Sequence, residues 1–185
     1  MGKIYDGIEG RIAGFIAEQK VVFVATAPDA SDGHVNLSPK GLDSFRVLDP
    51  HTVAYLDFVG SGAETIAHLR ENGRIVFCFC AFEGPPKIVR LHGRGEVVEP
   101  GDAGFAALRA AFPAVPTEAA VRAILRVRVS RVSDSCGYGV PLYEHRGERG
   151  QLHDWAARKG EAGLADYRRK NNATSLDGLP ALRGT

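Results

Sequence analysis

Asn36, Ser38 and Lys40 alternate along one short segment, so their side chains share a face if that segment is a strand. An amide, a hydroxyl and an ammonium in a row suit a ligand with a phosphate tail, although a solvated strand edge carries the same residue types. A second feature lies at Gly60-Ser61-Gly62, followed by Glu64 and Thr65. Ser61 and Glu64 have the capping-box spacing, in which each side chain satisfies a free backbone N–H of the other's residue. A helix starting there would present unpaired N–H groups and partial positive charge to an anion, or be an ordinary capped turn.

Other reactive side chains lack the company that chemistry needs. Cys78 and Cys80 lie two apart within a run of Ile, Val and Phe and read as buried structural cysteines. Metal-binding thiolates are usually spaced more widely and need further ligands. Cys136 sits between Ser135 and Gly137 in a glycine-flanked turn, with no adjacent base to make it a nucleophile. The six histidines are scattered; His68 reads as packing or helix surface and His153 as solvent-facing. Arg122, Arg126, Arg128 and Arg131 form a basic stripe, most simply a solvated face. Gly93-Arg94-Gly95 opens no helix and is no dinucleotide fingerprint. With the protein's own side chains inert, redox chemistry would have to come from a bound cofactor.

The elements that must position these residues follow from periodicity. Ile4, Ile8, Ile12 and Ile16 predict an amphipathic helix over residues 4–19. Strands are expected at 21–27, 34–38, 46–48 and 52–57, and Asp32-Gly33 is a hairpin signal. The capped helix would run to Gly73, a left-handed stop. Strands at 74–82 and 87–99 follow, then a helix at 102–112 with Phe105, Leu108 and Phe112 on one face. A last strand at 124–132 shows the alternation of a half-buried strand, and two short helices separated by Gly160 close the chain. Many short strands with hairpin-like links describe a mainly β fold, an antiparallel barrel with peripheral helices.

At 185 residues with 44% apolar content, the chain is expected to be a single domain, 1–185. Residues 1–132 would be the barrel core and 133–185 a helical extension. With 23 basic and 22 acidic side chains, no strong field points to nucleic acid or membrane. Three cysteines without a paired framework fit a cytoplasmic protein.

The segments HVNLSPKG at 34–41, VAYLDFVGSGAETIAHLRENGRIVFCF at 53–79 and KIVRLHGRGEVVE at 87–99 resemble the pyridoxamine 5′-phosphate oxidase-like superfamily. SCGYGVPLYEHRGERGQLHDWAARKG, with SLDGLPAL near the end, is similar to a bacterial subgroup of it. The resemblance implies a six-stranded antiparallel Greek-key split β-barrel, forming a homodimer with flavin mononucleotide (FMN) at the subunit interface. It implies a cofactor site of Asn36, Ser38, Lys40, Tyr55, Asp57, Ser61, Gly62, Thr65 and Arg90, no metal, and hydride or electron transfer to a small molecule. The alternatives it leaves are a non-enzymatic flavin- or haem-binding protein and a deazaflavin-dependent reductase. The chain departs from vitamin B6 oxidases in two places. Glu64 and Thr65 stand where those enzymes have Arg and Lys, and Gln151-Leu152-His153 lacks the arginine of their Arg-x-His element.

Overall fold

The computed structural model describes residues 2–183. In chain order its elements are β1 (Ile4–Tyr5), α1 (Gly10–Glu18), β2 (Val22–Thr26), β3 (Asn36–Lys40), β4 (Phe45–Asp49) and β5 (Thr52–Phe58). There follow α2 (Glu64–Glu71), β6 (Arg74–Cys80), β7 (Ile88–Val98), α3 (Phe105–Arg109), β8 (Val121–Ser135) and α4 (Gln151–Asn171). Every strand pair is antiparallel, in the order β3-β2-β6-β7-β8-β5-β4, with β1 added beside β8.

The fold is mainly β with peripheral helices, as the sequence predicts, but it has eight strands rather than six and its sheet is open. The two edges, β3 and β4, are consecutive in the chain. Side chains close the interior where hydrogen bonds do not. Phe45 of β4 meets Phe77 and Phe79 of β6 edge-on, with ring centroids 5.0 and 5.1 Å apart.

Two apolar clusters follow from strand alternation. Val53 and Tyr55 of β5, with Leu125 and Val127 of β8, face the interior, where Ile12 and Ile16 of α1 and Ile66 and Leu69 of α2 also pack. Ala54, Leu56, Phe58 and Ile124 face the other way, against Phe112 and against Ala156 and Leu164 of α4. Both faces of β5 are therefore covered, which is why its sequence reads as almost continuously apolar. Gly160 breaks α4 with φ 63°, where the sequence predicts the separation of two helices.

The helix expected over 4–19 starts only at Gly10, because Ile4 and Tyr5 pair with Ser133 and Val132. Asp134 fixes that pairing by accepting the Lys3 backbone N–H at 2.8 Å and the Tyr5 hydroxyl at 2.6 Å. The periodicity was still informative, since Ile8, Ile12 and Ile16 are all buried. Among the described residues, no helix is long and apolar enough to cross a membrane.

Candidate functional site

Asn36, Ser38 and Lys40 occupy one side of the edge strand β3, each half-buried, while Leu37 between them is exposed. Ser38 donates its hydroxyl to Asn36 Oδ1 at 3.0 Å. Asn36 Nδ2 donates to Thr26 Oγ1 at 3.1 Å and to Thr65 Oγ1 at 2.9 Å. Thr26 Oγ1 lies 2.9 Å from Nδ1 of His68, a fully buried side chain. Because Thr26 already accepts from Asn36, its own proton is available to His68 Nδ1. That arrangement places the imidazole proton on Nε2, which has no partner and is buried. Burial lowers the His68 pKa, favouring the neutral ring.

Three predicted site residues are thus joined by hydrogen bonds, together with two that sequence reasoning did not select. Thr26 pairs directly with Asn36 across β2 and β3, and His68 follows Thr65 by three residues on α2. Strand register and helical spacing were the signals available for them.

The other predicted residues divide. Lys40 Nζ sits 5.8 Å from the centroid of the Tyr55 ring, a cation–π contact. Tyr55 is buried, which holds its phenol well above the usual range. Asp57 is bound by Arg122 through an Nε–Oδ2 bond of 2.5 Å, and both side chains are buried. Arg122 Nη1 also donates to the Gly62 carbonyl at 2.7 Å. Asp57, Arg122 and Gly62 therefore pin the loop before α2 onto the end of β8. Arg122 leaves the basic stripe in which its sequence position puts it, whereas Arg126 and Arg128 are exposed. Ser61 is exposed on that loop. Arg90 lies apart, on β7 in register with Cys78, donating to Ser135 Oγ at 3.1 Å.

The capping box does not form. α2 starts at Glu64, its N-cap is Ala63, and no side chain caps it. Glu64 is thus the first helical residue rather than the third, and its carboxylate folds back over Gly62 without capping the helix. Its Oε1 instead accepts the backbone N–H of Leu176 at 3.3 Å. Gly73 does end the helix as expected, with φ 71° and its N–H donated to the His68 carbonyl at 3.2 Å.

Two further expectations change. Cys78 and Cys80 are half-buried rather than buried, because Phe77 and Phe79 take the inward positions of β6. Burial and the neighbouring Cys78 push the Cys80 thiol up to about 11, an unreactive state. His153 is half-buried and packs edge-on against Phe58 at 5.7 Å. Among the described residues, no group of three or more His, Cys, Asp or Glu side chains is placed to hold a metal ion.

The chain as a whole, and its fold, are similar to known proteins. A family model described as pyridoxamine 5′-phosphate oxidase covers residues 8–136. The chain belongs to the pyridoxamine 5′-phosphate oxidase family. The family protein ustO of Aspergillus flavus is 37% identical to it over 195 residues, across 96% of this chain and 77% of that protein. A HupZ variant of Group A Streptococcus shares the fold at TM-score 0.54 and 23% identity, over 69% of this chain and 99% of its own. An FAD-binding protein of Mesorhizobium loti does so at TM-score 0.51 and 17% identity, over 72% of this chain and 96% of its own. The family model ends at Cys136, before α4, whereas the match to ustO takes in nearly the whole chain, α4 included.

Proposed function

We propose that this member of the pyridoxamine 5′-phosphate oxidase family binds flavin mononucleotide along β3 and passes hydride or electrons between the flavin and a small molecule. The observation that carries this reading is the hydrogen-bonded row Ser38–Asn36–Thr65, with Lys40 at its end. Family membership and the FAD-binding Mesorhizobium loti neighbour support it.

The residues present fit such a group. Asn36, Ser38 and Thr65 offer amide and hydroxyl groups to its polar edge. Lys40 has no carboxylate partner among the described residues and is available to a phosphate. Tyr55, buried beneath Lys40, fixes the height of the ammonium. Asp57, through Arg122 and Gly62, keeps the Ser61 loop in place rather than touching the ligand. When bound, a flavin would supply one- and two-electron chemistry that no side chain of this site possesses.

We further read the protein as a homodimer. Phe23, Val76, Cys78 and Arg90 are half-buried on the side of β2, β6 and β7 opposite the barrel interior. An apolar sheet face of this kind suits a second copy of the chain, and it gives Arg90 a route to a ligand shared between subunits.

The test is the visible absorption spectrum of the purified protein, with mass spectrometry of whatever heat releases. Flavin bands with released flavin mononucleotide are expected, and NADPH oxidation in the presence of an acceptor would place the protein among reductases. A haem band, or a colourless protein that takes up no added flavin, would overturn the reading.

A further inference from the structure

Residues 172–183 fold into a closed hairpin after α4. Thr174 and Pro180 form an antiparallel bridge, and the Ala181 and Leu182 N–H groups donate to the Ala173 and Asn172 carbonyls at 2.8 and 3.2 Å. At the turn the Gly178 N–H donates to the Ser175 carbonyl at 3.0 Å, and Gly178 holds a left-handed φ of 77°. The base of the hairpin is firmly anchored. Ala181 and Leu182 are buried in the main core, Asn172 Nδ2 donates to the Gly60 carbonyl at 2.9 Å, and Arg183 pairs with Glu99 and Asp102.

The tip is held by carboxylates instead. Glu64 Oε1 accepts the Leu176 N–H at 3.3 Å, while the Leu176 side chain is exposed. Asp177 Oδ2 accepts the His34 backbone N–H at 2.9 Å, and His34 Nδ1 lies 2.6 Å from Asp177 Oδ1. Glu64 directly precedes Thr65, and His34 comes two residues before Asn36. The tip therefore bridges the start of α2 and the approach to β3, the same gap that the Asn36–Thr65 bond crosses. Since β3 is an edge strand paired only with β2, these contacts to α2 and the hairpin restrain its start.

The His34–Asp177 contact responds to protonation. A charged imidazole donates a charge-assisted bond to the carboxylate, and a neutral one a weaker bond. The Asp177 hydrogen bond raises the His34 pKa, with Asp32 of the preceding turn acting in the same direction. His34 in turn lowers the pKa of Asp177, as does His68 of α2. Glu64 and Glu71 of α2 act on His68, whose burial favours its neutral form. The hold of the charged pair is thus complete below the ordinary histidine value of about 6.5 and is lost as the pH rises through the folded value of His34.

We propose that residues 174–180 are a pH-sensitive clasp on the β3 row: charged His34 locks the tip and holds β3 against α2, and neutral His34 releases it. Release opens the mouth between β3 and α2, so a ligand on the row exchanges faster. The clasp stands on the hydrogen bonds of the hairpin; its control of cofactor exchange rests on the flavin reading.

Amide hydrogen exchange of the full chain at about pH 6 and 8.5, expressed as protection relative to the unstructured rate, tests the clasp. Protection at Leu176 and across β3 should be about two- to fivefold lower at the higher pH, the scale of an exposed ion pair. Asp177→Asn and His34→Gln should show the lower protection at both pH values, with the circular dichroism of the parent. His34→Gln leaves His68 and its carboxylate neighbours in place, so agreement of the two variants assigns the effect to the pair. Protection that ignores pH in the parent, a variant that keeps the parent's response, or a change confined to the tip would overturn the proposal. Release of FMN from loaded protein, followed by its fluorescence on dilution, should quicken with pH by the same factor in the parent alone. Release that ignores pH while the amides respond would deny the clasp its control of the site. A protein that takes up no FMN would sink the flavin reading, and the amides would still decide the clasp.

Discussion

The buried pair Asp57–Arg122 decides where the loop before α2 sits. Both side chains are almost fully enclosed, and the guanidinium also holds the Gly62 carbonyl. Arg122→Met would leave the Asp57 carboxylate buried without its counter-charge, which typically costs about 3–5 kcal/mol. The double variant Asp57→Leu with Arg122→Met should recover most of that loss. Urea denaturation of the three proteins checks the pair, and equal stability of single and double variants would deny the coupling. Sequence alone did not expose this pair. Arg122 lies 65 positions from Asp57, and its period-two spacing from Arg126 and Arg128 places all three on one face. A register shift between Asp57 and Phe58 at the end of the sheet changes that local relationship.

His68 makes a pH prediction. Burial lowers its folded-state pKa below the ordinary value of about 6.5. The unfolded chain therefore binds a proton that the folded chain resists. The stability contributed by this group is intact above about pH 6.5 and falls as the pH drops toward the folded value. A protonated ring would also donate from Nδ1 to Thr26 Oγ1, which already accepts from Asn36. Stability measured at about pH 7.5 and 5.5 should fall less in His68→Gln than in the parent chain. The comparison must be a difference, because His34 is raised by its hydrogen bond with Asp177 and acts in the opposite sense, losing stability as the pH rises through its folded value. Identical slopes in both proteins would remove His68 from the account.

At the scale of elements, β7 is the clearest case of a strand whose glycines are set by packing. Gly93 falls at the register shift between β7 and β8, and a Cβ there would stand on the Arg128 carbonyl oxygen and 2.8 Å from Val127 Cγ1. Gly93→Ala should force the two longest strands apart locally and cost several kcal/mol, on the order of 1–3 for overpacking plus the lost pairing. A shift in the midpoint of urea denaturation measures it, and an unchanged midpoint would show that the bulge relaxes freely. Most strands, the Gly73 stop and the break at Gly160 were legible because they depend on neighbours within a few residues. Asn36, Ser38 and Thr65 were legible as candidates because strand alternation and the start of α2 are local too. The failures are long-range. The first turn of the predicted N-terminal helix yields to pairing with β8. The capping box yields to Glu64 meeting Leu176, which lies 112 residues away. The segment 141–150 has no regular pattern, so nothing in its sequence announces the packing of Tyr143 against Phe82.

At the scale of the molecule, the open sheet and the outward face of β2, β6 and β7 belong to one argument. A single copy of 19.8 kDa covers β5 and β8 with α4 but leaves Phe23, Val76 and Cys78 only half-buried. If a second copy covers them, the mass by light scattering should be twice that of one chain, with flavin retained. Val76→Asp places a charge in the middle of that face without touching the interior residues Phe77 and Ile75. It should yield single chains whose far-ultraviolet circular dichroism matches the parent protein but whose flavin is lost on gel filtration. Loss of dimer and flavin together would tie the cofactor to the interface and to Arg90. A single-chain mass for the parent protein with flavin still bound would confine the site to one copy, leaving the β3 row and Lys40 to hold the ligand without Arg90.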